Sequence, residues 1–538
     1  MNLLTDPWLP VERRSGRRES IRPAELTAGL ADDPIVRPGA PRPDFDGAVL
    51  QFLVGLLQTA FAPRDDREWA ARFDAPPTPA ELDAAFEAHR AAFELAGDGP
   101  RFMQDLELDP ASTSATEIRQ LLIDAPGENT LKNNADTFVR GDTVARMSRA
   151  SAALALFTLQ INAPSGGAGH RTGLRGGGPL TTMLLAGEEG SLWETCWLNV
   201  LPSDRFVSDR YGAPERTSPV DIFPWLAPTR TSEKAGGSET LPVDMHPAHV
   251  YWSTPRRIRL AFEPCDAPCD IDGTLDEQCA SQYATIPWGI NYTGPWRHPL
   301  TPAVMNKKGE RINRTMSQGG LLWRDWPALV VGGENSEPAD VIAALFETKR
   351  RRTRAEMRVA AFGYDMDNMK ARCWYRADMP LIHIEPEHRD AFRLGLTEIV
   401  EATKYLGSVL GQSVLEALGG RGSPRGKTLG DATAGARWAR TGAAFYDTAR
   451  ALRDALARGD DGTDVVRRWH PVLTRVTLRL FDTWVDIDQR IHVAPRAVVD
   501  ARRALGQHLY GKKTRKLLRL PEPAKKQKKP STSARKAR

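Results

Sequence analysis

The 538-residue sequence predicts an α+β protein: a large mixed α/β N-terminal domain followed by a C-terminal four-helix bundle. Three observations predict it. Between 203 and 335 prolines are frequent and strand-like runs are short and irregularly placed, at 249–252, 257–262, 321–323 and 328–331. That is not the regular alternation of a doubly wound sheet. From about 386 onward, apolar residues recur at helical spacing in four blocks. The length also exceeds what one core fills, so more than one domain is expected. The expected boundaries are 1–380 for the mixed domain, 381–515 for the bundle and 516–538 for a basic tail without structure of its own.

In chain order, residues 1–45 are proline-rich with short β-like pieces such as Trp8-Leu9-Pro10-Val11. A helix is expected over 47–61, with Val49, Leu53, Leu56, Leu57 and Ala60 on its apolar face, and further helix over 79–96. Residues 101–105 read as an extended piece. The polar stretch 126–144 reads as a long exposed loop, and loops beyond about 12–15 residues are uncommon unless they serve a function. Helices over 144–159 and near 192–201 flank a glycine-rich segment. Residues 338–361 read as a helix carrying Lys349, Arg350, Arg351, Arg352, Arg354 and Arg358, and 363–375 as a tight hairpin with a polar tip.

The four bundle helices keep distinct apolar faces. They are Phe392, Leu396, Ile399, Leu406, Leu410 and Val414; then Trp438, Phe445, Ala449, Leu452 and Leu456; then Val466, Trp469, Val476, Leu480 and Trp484, with a kink expected at Pro471; then Val498, Ala501, Leu505 and Leu509. Their polar faces are read as carrying Arg437, Arg440, Arg467, Arg468, Arg475, Arg479, Arg502 and Arg503.

Charge is unevenly placed. From Lys512 to the end there are twelve Lys/Arg against Glu522, a net of +11; the whole chain is +5, so the rest carries −6. A polyanion partner would therefore be met by local patches rather than by a uniformly basic surface. No run of eighteen apolar residues occurs, so no membrane span is expected. Five cysteines in so long a chain fit a reducing, cytoplasmic setting better than a disulfide framework.

The stretch with the strongest chemical signature is 161–182. Seven of the thirteen residues from Gly166 to Gly178 are glycine, with His170, Arg171 and Arg175 among them. Such a segment can bring backbone N–H groups close to a ligand, and nearby guanidinium suits a polyanion. Composition alone leaves a long surface loop equally open. The spacing of Gly167, Gly169 and Gly173 is not that of a dinucleotide site, and the glycines around Lys427 do not have P-loop spacing. No metalloprotease or nucleophile-elbow motif occurs, so no catalytic constellation and no cofactor are expected. Cys265, Cys269 and Cys279 are a weak zinc candidate, with His246 and His249 upstream, because a second ligand pair at close spacing is missing. Lys307-Lys308 form a cationic turn.

Five stretches in register resemble one family: NLLTDPWLPV at 2–11, FMQ at 102–104, TGLRGGGPLTT at 172–182, LNVL at 198–201 and WRHPLTP at 296–302. They are similar to the large subunit, CasA, of the type I-E CRISPR Cascade complex, over 2 to roughly 510. The resemblance implies a non-catalytic subunit of an RNA-guided surveillance complex. Such a subunit reads a short protospacer-adjacent motif (PAM) in duplex DNA from the minor groove. It then wedges the duplex open, so that guide pairing reads the rest. It also implies that Ser165, Gly166, Gly167, Ala168, Gly169, His170 and Arg171 form the groove-probing loop, with Ala168 where a relative has glycine. Asp367, Asn368, Met369 and Lys370 would be the wedge, with Asn368-Met369 in place of glutamine. Lys307 and Lys308 would contact phosphates. A minor-groove lysine of the family falls near Pro287-Trp288, where this sequence has none, and Arg297 is the expected substitute. The loop with Asn129, Thr130, Leu131, Lys132, Asn133 and Asn134 would dock on the CRISPR RNA 5′ handle and a neighbouring subunit. The bundle would hold the displaced strand, and the helicase-nuclease would dock on this subunit. Two other readings stay open on the residues alone: an enzyme that holds a phosphorylated substrate in the glycine segment, and a scaffold that only bridges subunits.

Overall fold

The computed structural model describes residues 1–134, 143–167, 169–233, 236–347, 357–367, 369–419, 424–485 and 494–522. The chain divides into two compact units, 1–321 with 328–383, and 322–327 with 384–538. The first is α+β and the second helical, with the division three residues beyond the expected one and a short segment, 322–327, joined to the helices.

The first unit is built around the helix Pro43–Ala60. Proline at its start and Asp44 and Asp46 in its first turn suit a helix N-terminus. It is buried on nearly every side, not on one face, so it is a central core helix. Phe52 meets Trp8, Phe93, Phe102, Phe157 and Trp252 edge-on, at ring separations of 5.0 to 6.0 Å. This geometry suits the ring quadrupoles.

Small antiparallel sheets surround that core. Strand Leu9–Arg13 lies between Arg18–Ile21 and Ile35–Pro38. Strand Arg257–Pro264 pairs with Gln278–Ile286. Strand Arg358–Asp367 lies between Thr181–Leu185 and Lys370–Pro380.

Several expected elements differ. Residues 249–252, 321–323 and 328–331, read as strands, fall largely in helical turns: Pro247–Tyr251, Trp323–Asp325 and Trp326–Val330. Local caps decide this. The His246 imidazole accepts from the Ala248 N–H at 3.1 Å, and the Asp325 carboxylate accepts from the Leu322 N–H at 3.0 Å. The helix expected over 338–361 is Asp340–Glu347, and Arg358 opens a strand instead. Lys349, Arg350, Arg351, Arg352 and Arg354 lie outside the described residues.

Two histidines in this unit are buried and neutral. His249 is fully enclosed; its Nδ1 lies 3.1 Å from the Ile222 carbonyl and its Nε2 3.0 Å from the Tyr292 hydroxyl. A carbonyl can only accept, so Nδ1 carries the proton and Nε2 accepts from Tyr292. Burial pushes His249 down to about 3, and burial also holds His298 well below the usual histidine range. Both remain neutral in the folded state but take up a proton in the unfolded state below pH 6.5. Folding stability is therefore full above pH 6.5 and falls by about 1.4 kcal/mol per pH unit for each histidine as pH drops below it. Urea titrations between pH 7.5 and 5 should show this, with His249→Gln lowering the slope by about 1.4 kcal/mol per pH unit.

In the second unit four helices span Arg389–Ala417, Pro424–Ala457, Thr463–Trp484 and Pro495–Leu509. The first packs against each of the other three. Leu410, Val414, Phe481, Val498 and Leu505 share one core cluster. The reassigned segment belongs here because Trp323 stacks on Phe445 at 4.2 Å and Trp326 meets Phe392 edge-on. The helix runs through Pro471. Arg437, expected on a polar face, is instead buried at 2 % exposure. The tail expected from 516 begins in a short helix, Lys512–Leu517, with Leu518 buried after it, and 523–538 lie outside the described residues.

Candidate nucleic-acid interface

The glycine segment follows the helix Arg149–Asn162, whose N-terminus is capped by Ser148 Oγ accepting from the Ser151 N–H at 3.2 Å. Its base is closed onto the end of that helix. The Gly173 N–H donates to the Ala163 carbonyl at 2.9 Å, and the Gly178 N–H donates to that of Asn162 at 3.2 Å. Within the loop an inner turn forms, Gly166 N–H to His170 O at 3.1 Å and His170 N–H to Gly167 O at 3.3 Å. Ser165 and Gly167 are exposed, and a Cβ at Gly167 would meet nothing within 4 Å. Ala168 lies outside the described residues.

Below the exposed residues the loop is seated on Trp288. Gly169 has φ +87°, and a Cβ there would come within 2.8 to 3.0 Å of the indole. The Trp288 N–H donates to the Gly169 carbonyl at 3.0 Å. Arg171 donates from Nε to Ser232 Oγ and from Nη2 to the Ser232 carbonyl, both at 2.8 Å, with its guanidinium 5.3 Å from the Trp288 ring. Arg256 donates to the Pro164 carbonyl from beneath, and burial pushes it down to about 10. Burial, and secondarily Arg256, lowers His170 below the usual histidine range.

The cations read into the segment are thus largely committed to the fold. Arg175 is 4 % exposed and donates to Gln51, Thr181 and Thr301 at 2.7, 3.1 and 3.3 Å. It is an internal tie and not an anion ligand. The exposed part of the loop, Ser165 and Gly167, presents backbone and one small hydroxyl side chain.

The hairpin Arg358–Asp367 to Lys370–Pro380 projects the second expected feature. Met369 is 53 % exposed at its tip, and Asp367 and Lys370 are exposed beside it. Asn368 lies outside the described residues. The tip is braced from below. Arg372 donates to both oxygens of buried Asp365 at 2.9 and 2.8 Å and lies 3.2 Å from Asp367. Both loop and hairpin share one strip of backbone. Gly178 sits against Tyr364 and Met366, Gly363 against Pro179, and Met316 bridges to Asp365.

The Lys307-Lys308 turn hangs from the same strip. It joins Ala303–Met305 to Arg311–Asn313, and the Arg314 carbonyl accepts from the Leu180 N–H at 2.9 Å. Asn306 holds the turn through bonds to the Lys308 and Glu310 N–H groups at 2.8 and 3.0 Å. Both lysines are exposed. Arg297 is different. It makes a fork to Asp340 at 2.8 and 2.7 Å, and Asp340 also accepts from Tyr211 at 2.8 Å. With its side chain 15 % exposed and its charge matched, Arg297 is a largely buried tie rather than the DNA-contacting cation expected in place of the family's lysine.

The expected docking segment contains a short helix, Glu128–Lys132, which includes Asn129, Thr130 and Leu131. Lys132 at its end, and Asn133 and Asn134 after it, are exposed. The weak zinc candidate does not assemble. No group of three or more His, Cys, Asp or Glu among the described residues is placed to hold a metal ion. Cys269 Sγ accepts from the Ile271 N–H at 3.4 Å, His246 caps the turn it sits in, and His249 is committed to Ile222 and Tyr292. No helix among the described residues is long and apolar enough to cross a membrane.

Sequence reasoning missed Trp288, Ser232 and Gly178. None of the three carries a local signal, since the φ of +68° at Trp288 shows only in the structure.

A family model described as CRISPR-associated protein Cse1 matches residues 2–480. The fold is shared with solved structures at low identity. Thermobifida fusca Cse1 superposes with a TM-score of 0.70 at 18% identity, covering 97% of this chain and 98% of that one. Thermus thermophilus CasA (Cse1) gives 0.68 at 18%, covering 94% and 99%. A chain of a CRISPR RNA-guided surveillance complex gives 0.66 at 17%, covering 95% and 99%.

Proposed function

The chain belongs to the CRISPR-associated Cse1 family, and from that premise we propose that it is the non-catalytic large subunit of a type I-E surveillance complex, the one that senses the PAM and opens the duplex. The observation that carries this reading is the shared backbone strip, which presents a side-chain-free loop edge, a projecting tip and two exposed lysines from one unit. A loop edge without side chains can approach the floor of the minor groove, where the edge pattern is degenerate and several motifs are tolerated. Met369 then has the shape of an apolar wedge; unstacking one base step costs a few kcal/mol, offset by backbone contacts. Lys307 and Lys308 supply phosphate contacts that position without reading sequence. CRISPR RNA, sister subunits, target duplex with its displaced strand, and a helicase-nuclease are the partners this role requires.

The test uses the complex assembled on its guide RNA and duplexes with and without the motif. Gly167→Asp places a negative charge in open space, so the subunit should fold and assemble while binding to motif DNA weakens tenfold or more, as like charges meet at about several kcal/mol. Met369→Ala should slow duplex opening about tenfold, and a duplex pre-melted beside the motif should recover it, because only the unstacking step is removed. Each lysine replaced at 307 or 308 should lower the salt slope of binding by about one. A pure scaffold predicts that all these variants match wild type, and that result would overturn the proposal.

A further inference from the structure

We infer that Trp288, clamped by Arg171 and Ser232, is the positioning residue that sets the height and angle of the groove-probing loop, and so determines how sharply the motif is discriminated. The inference rests on the reading of 165–171 as that probe.

Four contacts converge on Trp288, two on its indole and two on its backbone. Gly169 lies so close to the face of the indole that any Cβ would be excluded, and the loop carbonyl at 169 accepts from the Trp288 backbone N–H. The Arg171 guanidinium lies 5.3 Å from the ring, within cation–π range. Ser232 ties both partners together. It takes two bonds from Arg171, gives its hydroxyl to the Gly289 carbonyl at 2.7 Å, and donates its N–H to the Trp288 carbonyl at 3.2 Å. Trp288 holds φ +68°, a conformation bulky residues rarely adopt, which turns its ring under the loop. Side-chain-free loops have little to hold them in one place. Here a rigid aromatic plate and a two-point guanidinium fork do so, and Ser165 and Gly167 above them are left exposed. Recognition by such an edge depends on placement within about half an ångström. Trp288 itself is half-buried beneath the loop and is given no contact with DNA in this reading.

The experiment measures, on the assembled complex, the ratio of affinities for motif-bearing and motif-lacking duplexes, together with complex assembly and thermal midpoint. Trp288→Ala should reduce the ratio about tenfold, comparable to a lost base-pair contact, through weaker motif binding rather than changed binding to motif-lacking DNA. Trp288→Phe keeps a flat ring under Gly169 and should restore the ratio to within about threefold of wild type. Should Trp288→Ala fail to assemble, Ser232→Ala decides instead. It removes one arm of the clamp with a conservative change and should lower the ratio about threefold. An unchanged ratio in a well-assembled Trp288→Ala or, failing that, Ser232→Ala complex overturns the inference. Gly167→Asp separates the two levels: if it also leaves the ratio intact, the probe reading itself fails, whereas loss with Gly167→Asp and none with Trp288→Ala removes only the positioning role.

Discussion

Gly178→Ala is expected to destabilise the first unit by about 3 kcal/mol and to separate the glycine segment from the hairpin it rides on. Two costs add. Gly178 has φ +60°, and the left-handed conformation costs a residue with a Cβ about 1–2 kcal/mol. The Cβ would also stand 2.4 Å from the Tyr364 carbonyl oxygen and 2.7 Å from Met366 Cγ. The carbonyl belongs to the central strand of its sheet, where Tyr364 pairs with Trp374 and neighbouring Asp365 bridges to Met316, so it has little freedom to retreat. Neighbouring bonds pin the other partner. Gly178 donates to Asn162 and accepts from Met316, and Pro179 bridges to Thr315. Two other glycines give the internal comparison. Gly176 has φ +93° but open space around its Cβ position, so alanine there should cost only the conformational part, about 1 kcal/mol. Gly167 has neither constraint, and alanine there should be neutral or slightly stabilising, within about 1 kcal/mol. Urea denaturation of the three variants checks the order. Equal midpoints for Gly178→Ala and Gly167→Ala would show that the strip is not the rigid joint described above.

That order was invisible in the sequence, where the seven glycines are alike. Composition marks a segment able to approach something closely; only the partners say which glycine approaches what. Gly169 meets an indole 119 positions later in the chain, and Gly178 meets a carbonyl 186 positions later. The hairpin was legible because its signal is local: alternation on either side of a polar turn. The bundle was legible for the same reason, since 3.6-residue spacing is a property of each helix alone. Charged side chains misled wherever a distant partner or a cavity claimed them. Arg175, Arg297 and Arg437 all sit in sequence contexts that read as exposed, and all three are buried or nearly so. Arg297 finds Asp340 and Arg175 finds Gln51, pairings that no local periodicity encodes. The short caps at His246 and Asp325 turned strand-like apolar runs into helical turns, where β-propensity had no neighbouring strand to act on.

Arg437 gives the other large effect, and its partner is a space instead of a charge. In the helical unit a Cβ on Gly407 would fall 0.7 Å from Arg437 Nη1, so the guanidinium occupies the place a side chain at 407 would fill. Nε and Nη1 have no acceptor, Arg324 lies near enough to repel, and burial pushes Arg437 down to about 10. The charge is held by packing, with its guanidinium 4.9 Å from the Trp438 ring. Gly407→Ala must therefore expel a buried cation, and the expected loss is about 3 kcal/mol. Arg437→Met removes an uncompensated charge while keeping most of the volume, and is expected to be neutral or to stabilise by about 1 kcal/mol. In that background methionine can bend away from the new methyl, so Gly407→Ala should cost only about 1 kcal/mol, a coupling of about 2 kcal/mol between the two positions. Equal costs for Gly407→Ala in both backgrounds would sink this account. The same burial carries a functional corollary: an enclosed guanidinium releases no counterions from DNA, so Arg437→Met should leave the salt slope of the complex unchanged, whereas replacing exposed Lys307 or Lys308 should not.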